Sequence, residues 1–203
     1  MFESIISLEN LLRAWRVFRR GKSDKPDVQS FERRLEDNLF SLHNDLSAKQ
    51  YRHGLYERFH LFDPKHRIIH KAEVRDRVVH HAIYRILAPV FEQSFIFDSY
   101  SCRLDKGTHA GVDRLEQFAR KVSRNFTRTC FALKCDIRKF FDSIDHSILI
   151  NMITRRISDP NTLWLLREII ESYSSRERER EREREQLGFQ LETSLPSCSR
   201  ICI

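Results

Sequence analysis

Apolar residues recur at helical spacing through the first fifty positions, and then the period changes. Ile5, Leu8, Leu11, Leu12, Trp15 and Phe18 predict an amphipathic helix over 3–20, ended by Gly21. Phe31, Leu35, Leu39, Leu42 and Leu46 predict a second over 27–48, with Asp27 placed to cap it. Tyr56, Phe59 and Phe62 precede the turn signal Asp63-Pro64-Lys65, and Ile68-Ile69 follow, a pattern that predicts a β-hairpin. Helical spacing returns over 73–96 through Val74, Val78, Ala82, Ile83, Ile86 and Leu87, with Pro89 expected to kink or divide the helix. A polar loop over 97–107 leads to a helix over 108–123. The run Thr129 to Ile137 reads as a buried strand, and 146–157 and 161–173 as two further helices. This order predicts a helix-rich α+β fold whose sheet has barely begun.

Charge narrows the choice of partner. The formal net charge is +7, and from Arg176 onward the charges cancel, so the whole excess lies in residues 1–175. A basic body points to a polyanion, with nucleic acid ahead of an anionic membrane surface, against the alternative of a basic soluble protein with neither. No apolar run approaches membrane-spanning length and no signal peptide opens the chain, so the expected compartment is the cytoplasm. The five Cys are odd in number and irregularly spaced, which predicts reduced thiols and no zinc module.

The candidate chemistry lies at the end of the predicted strand. In Leu133-Lys134-Cys135-Asp136-Ile137-Arg138-Lys139-Phe140-Phe141-Asp142-Ser143-Ile144-Asp145-His146 an apolar run meets an acid, and an aromatic pair follows. A carboxylate at a strand end can hold a divalent metal at a sheet edge, as phosphoryl transfer requires, and hard oxygen ligands suit Mg²⁺. The backbone carbonyl of Ile137 is a further candidate ligand. A lone Asp in such a place more commonly caps a helix or ends a strand.

The whole pattern is more informative. D-I-R-K-F-F-D-S-I-D-H resembles motif A of bacterial reverse transcriptases of the group II intron, retron and diversity-generating retroelement type. The resemblance implies that Asp136 is the first metal ligand. It also implies that Phe141 is the steric gate that selects dNTPs. Asp142, Asp145 and His146 are expected to cap the next helix rather than do chemistry. Upstream, Phe62 to Ile69 followed by Val74-Arg75-Asp76-Arg77-Val78-Val79-His80-His81-Ala82 is similar to the family's fingers motif. There Arg67, Arg75 and Arg77 would contact the incoming triphosphate, with Lys65 behind them on nucleic acid. Guanidinium groups suit phosphate because their donors fork. His80 and His81 lack a metal-ligand partner at useful spacing, so packing or nucleic-acid contact is expected of them. Asp98-Ser99-Tyr100-Ser101-Cys102-Arg103-Leu104-Asp105-Lys106-Gly107-Thr108-His109 resembles the next fingers motif, which lies near the template, with Arg103 and Lys106 as contacts.

After Tyr173 the character changes. Residues 176–185 are Arg-Glu repeated five times, which reads either as a solvated helix of alternating charge or, at the DNA level, as an AG tract prone to slippage. Read from each third base, the codons of 187–203 permit G-L-P-I-G-N-L-T-S-Q-L-F-A-N-M-Y, which resembles the family's next palm motif. Residues from about 176 are therefore expected to be a frameshift product of low order.

The resemblance implies the fingers and partial palm of a right-hand polymerase, with an incomplete antiparallel palm sheet. The expected organisation is an N-terminal helical extension over 1–50, fingers over 51–127, the start of the palm over 128–175 and the tail over 176–203. The parent enzyme would be an RNA-directed DNA polymerase using Mg²⁺, dNTPs, an RNA template and a DNA or RNA primer. Its relatives also need a Y/F-x-D-D turn, which this sequence lacks, so the chain as written is not expected to polymerise. The alternatives are a maturase-like RNA-binding module without catalysis and an inactive pseudogene fragment.

Overall fold

The computed structural model describes residues 1–173 apart from 63–65, 102, 104, 138–139 and 141–142, and the side chain of Arg67. The Arg-Glu repeat, the tail, Lys65 and Phe141 therefore lie outside the described residues.

The described part is a helix-rich α+β fold with one small two-stranded antiparallel sheet. In order, α1 (Phe2–Ile6), α2 (Leu8–Arg19), α3 (Pro26–Glu32) and α4 (Leu35–Ser47) precede β1 (Glu57–Phe62) and β2 (His66–Lys71). Then follow α5 (Val74–Glu92), α6 (Thr108–Val122), α7 (His146–Thr154) and a last helix, α8, over 160–173.

Each helix predicted in the first fifty residues is two helices. Ser7 interrupts the first: its hydroxyl accepts a hydrogen bond from Asn10 N–H at 3.3 Å and so caps α2. The second breaks at Arg33–Arg34, before α4 begins. Asp27 does not cap α3, because Lys25 holds the N-cap and Pro26 stands at the start of the helix, where its missing N–H costs nothing. Pro89 does not divide α5, which runs unbroken from Val74 to Glu92. Gly21 takes φ +68°, the left-handed conformation that ends a helix cheaply without a Cβ.

The core forms where α2 packs on α5. Leu11, Ala14, Trp15 and Phe18 of α2 are buried with Val78, Val79 and Ala82 of α5. Phe31 of α3 stacks against Trp15 at 5.1 Å between ring centroids. Buried Asn10 fits this apolar seam because its polar atoms are satisfied: Nδ2 donates to the carbonyls of Ile5 at 2.9 Å and Ala82 at 3.1 Å, and Oδ1 accepts from Arg85 Nε at 3.2 Å.

The same core takes in Ile157 and Leu165 from the far end of the described chain. Asp159 fastens them to the N-terminus: its carboxylate accepts from Phe2 N–H at 2.7 Å and from Thr162 Oγ1 at 2.9 Å. Burial works to raise the Asp159 pKa, but these hydrogen bonds outweigh it and hold the group at about 2.

The strand predicted over 129–137 is absent. This stretch is irregular and exposed throughout, with Phe131 at 95% and Leu133 at 90% exposure. A strand exists only when a neighbour accepts its N–H groups and covers its apolar face, and no described strand lies beside it. Helix α6 is similarly uncovered: none of its residues is buried, and Val112, Leu115, Phe118 and Val122 form an exposed stripe.

Candidate nucleic-acid interface

The segment just before the hairpin, residues 51–56, and the first turn of α5 meet around a buried acid. Asp76 is 0% exposed. It lies three residues before Val79 and seven before Ile83, on the face of α5 that the core covers. Its Oδ1 accepts from Tyr51 Oη–H at 2.7 Å and its Oδ2 from Gly54 N–H at 2.9 Å. Buried His53 places Nδ1 at 3.8 Å from Oδ2. On its other side, His53 Nε2 lies 3.2 Å from His80 Nε2 and 3.3 Å from the Tyr56 hydroxyl. Tyr56 reaches Ser172 of α8 at 3.3 Å. Burial, then the Asp76 charge, push the Tyr51 pKa up, so Tyr51 stays a neutral donor. Burial, then the neighbouring His53, lower the His80 pKa to about 4, so its ring is neutral at physiological pH. Gly54 is required here by close approach, because a Cβ would stand 2.8 Å from Asp76 Oδ2 and from Glu73 Cδ.

Arg75 and Arg77 flank this acid but point apart, as positions two apart on a helix must. Arg75 Nη2 pairs with Asp45 Oδ2 at 2.6 Å, and its guanidinium lies over the Tyr51 ring at 4.9 Å. Arg77 Nη2 pairs with Asp27 Oδ2 at 2.6 Å and packs over Phe18 at 4.8 Å. Lys71 shares Asp27 at 3.0 Å. Burial tends to raise the Asp27 pKa, but the hydrogen bonds from Lys71 and Arg77 prevail and lower it. The two arginines thus tie α5 to α3 and α4, and the structure does not converge them on one anion site. Arg67 lies in β2 opposite Leu61.

Arg103 and Lys106 do come together, across a single bridge in the loop before α6, where Asp105 takes φ +57°. Arg103 Nε donates to Glu92 Oε1 at 2.6 Å and Nη1 donates to the carbonyls of Ile96 at 2.8 Å and Ser99 at 3.2 Å. Lys106 Nζ donates to the Phe97 carbonyl and sits 3.7 Å from the centroid of that ring. Arg114 pairs with Asp98 at 2.9 Å and lies over Phe118 at 4.5 Å, while Arg120 lies over Phe126 at 5.3 Å. The Arg114 hydrogen bond lowers the Asp98 pKa. Cations therefore lie on exposed aromatic rings along 95–126. Residues 93–128 carry seven Lys and Arg against four Asp and Glu. Sequence reading singled out Arg103 and Lys106 here and missed Arg114 and Arg120, whose signal was an aromatic four residues further along α6 or three residues past its C-cap.

Asp136 and Ile137 stand in the exposed stretch after α6. Among the described residues, no group of three or more His, Cys, Asp or Glu is placed to hold a metal ion. One carboxylate can bridge two ions but cannot alone supply the ligands of both, so the described residues alone do not complete a two-metal centre. Asp145 does cap α7, accepting from Ser147 N–H at 2.8 Å and Ile148 N–H at 3.0 Å.

Comparison with known proteins adds a partial likeness. No family model matches the sequence. Nuclear intron maturase 1, mitochondrial, of Arabidopsis thaliana is 27% identical over 112 residues, which cover 54% of this chain and 15% of that protein. The chain is distantly similar to an intron maturase. Protein YkfC of Escherichia coli (strain K12) is 27% identical over 99 residues, covering 49% of this chain and 26% of that protein. The match thus spans about a quarter of one relative's length and less of the other's. Among the described residues, no helix is long and apolar enough to cross a membrane.

Proposed function

We propose that this chain is the fingers and the start of the palm of a reverse transcriptase-like protein, and that by itself it binds RNA without polymerising DNA. The observation that carries the reading is the surface over 95–126, where Arg103, Lys106, Arg114 and Arg120 lie on the rings of Phe95, Phe97, Phe118 and Phe126. Such a surface offers bases a stacking platform and phosphates a positive field, the combination that single-stranded nucleic acid needs. The distant likeness to a protein named an intron maturase supports RNA as the partner.

In a complete polymerase Asp136 would be the first Mg²⁺ ligand, Ile137 would add its carbonyl, and Phe141 would gate the dNTP sugar. Mg²⁺ would neutralise charge on the transferring phosphate, with further carboxylates supplied from elsewhere. Template and primer would lie along the fingers, with Lys65 and Arg67 on the hairpin. The organisation as extension, fingers and palm start belongs to this proposal, as does a cytoplasmic setting. The catalytic reading and the binding reading separate in one pair of assays: equilibrium binding of a labelled single-stranded RNA, and extension of a DNA primer on an RNA template with dNTPs and Mg²⁺. Binding without extension is expected. Extension by the chain alone would overturn the claim that it does not polymerise, and no RNA binding would overturn the claim that it binds RNA.

A further inference from the structure

The hairpin carries a second feature, unrelated to the Mg²⁺ reading. In its register Phe62 faces His66, His60 faces Ile68 and Arg58 faces His70, so His60, Phe62 and His66 share one face. His60 and His66 are diagonal neighbours across the strands, a spacing that long side chains bridge. They do bridge it: His60 Nδ1 lies 2.7 Å from His66 Nε2, with the rings 5.0 Å apart and 11° from parallel. Phe62 stacks on His66 at 4.8 Å and holds that ring in place. Both imidazoles are exposed, so neither is held there by the core.

We propose that His60 and His66 form a two-imidazole site for a borderline divalent transition metal such as Ni²⁺, Cu²⁺ or Zn²⁺, which clips the two strands of the hairpin together. Imidazole nitrogens bind such ions at about 2.0–2.1 Å, which sets two of them about 2.9 Å apart as cis ligands in a square plane and about 3.3 Å apart in a tetrahedron. The observed separation is about 0.2 Å under the first value and about 0.6 Å under the second, so turning each ring's lone pair roughly 35–45° off the N···N line converts the hydrogen-bonded pair into a chelate, the square-planar arrangement being the nearer. Water completes the shell, since no third protein ligand accompanies them among the described residues. The metal would be exchangeable, and acid would compete with it for the ring nitrogens.

The clip has a structural use. An isolated two-stranded hairpin is marginal in water, and Phe59, Leu61, Phe62 and Ile68 of this one are all exposed. Its base is tied down where Lys71 pairs with Glu57 and Asp27, whereas the two histidines sit towards the other end. A cross-strand metal there would order the end that the core leaves free. The site is independent of any polymerase function, because imidazoles select transition metals whereas Mg²⁺ prefers hard oxygen ligands.

The test is calorimetric titration of the full chain with NiCl₂, its thiols alkylated beforehand because Cys130 and Cys135 are exposed. Hydrogen exchange of the hairpin amides is read in parallel. The expected result is one ion per chain and slower exchange over residues 57–71, with MgCl₂ producing neither. Loss of a second-shell partner alone costs about 10–100-fold in metal affinity, so His60→Asn and His66→Asn should each weaken binding at least about tenfold and abolish the slowing. Unchanged affinity in either variant, or slowed exchange outside the hairpin, overturns the proposal.

Discussion

Asp76→Ala is the substitution to which the fold should be most sensitive. The carboxylate is 0% exposed and accepts two hydrogen bonds, from Tyr51 Oη at 2.7 Å and Gly54 N–H at 2.9 Å. Removing it strands both donors. Tyr51 is itself fully buried, so its hydroxyl has no water to turn to. Each buried donor left unsatisfied costs about 1–3 kcal/mol, which puts Asp76→Ala at roughly 3–5 kcal/mol, a large share of a domain's stability. Tyr51→Phe removes one donor and leaves the Gly54 bond, so it should cost about 1–2 kcal/mol. The double variant should cost less than the two singles together by at least about 0.5 kcal/mol, since both remove the same bond. Urea unfolding followed by far-ultraviolet circular dichroism measures all three. A loss below about 1 kcal/mol in Asp76→Ala, or strict additivity in the double variant, would refute the assignment of Asp76 as the buried keystone between the 51–56 segment and α5.

Gly54→Ala should cost about 1–3 kcal/mol in the same assay, because its Cβ meets Asp76 Oδ2 at 2.8 Å and the buried carboxylate cannot retreat; a neutral effect would show that it can. Acidification should weaken the fold through His80. Its folded pKa lies near 4 against 6.5 for an unperturbed histidine, so the unfolded chain takes up the proton first. The stability is therefore present above about pH 6.5 and falls away towards pH 4, by about 2 kcal/mol at pH 5, and His80→Gln should flatten that part of the profile. Asp136→Ala should change stability by less than about 0.5 kcal/mol, as the residue is exposed in an irregular stretch; a larger loss in urea titration would place it in a packed environment. If Arg120 contacts a phosphate, Arg120→Ala should weaken RNA binding and reduce the salt slope by about one; an unaltered slope would move the contact elsewhere.

Where a helix buries a clear apolar stripe, its pattern reads well: α5 appears within a few residues of its predicted bounds, α2 and α4 end within one residue of theirs, and β1 and β2 fall on either side of the Asp-Pro signal. The internal breaks were harder to read. Ser7 caps a helix in the middle of a continuous stripe, because periodicity counts apolar positions and is blind to a hydroxyl that competes for backbone N–H groups. Pro89 misled in the opposite direction: a proline near a helix end loses one hydrogen bond without ending the helix.

The largest departure, the missing strand at 129–137, shows the limit of local pattern. Phe131, Leu133 and Ile137 alternate as a strand should, but a strand is a property of two chains of backbone, and no described segment supplies the second. The candidate interface was half legible. The basic residues of the motifs stood out, but that Arg75 and Arg77 would be engaged by Asp45 and Asp27 depends on α3 and α4 folding back onto α5, which spacing within one motif does not encode. Asp76 was hidden for the same reason, an acid being read as surface until the partners that satisfy it are known.

The central claim, that this basic and aromatic surface binds RNA, is tested most directly by fluorescence anisotropy of a labelled single-stranded RNA titrated with the chain between about 50 and about 200 mM salt. The account predicts saturable binding whose logarithmic affinity falls linearly with the logarithm of salt concentration, with a slope of several phosphate contacts. Absence of binding at the lowest salt, or an affinity indifferent to salt, would contradict it.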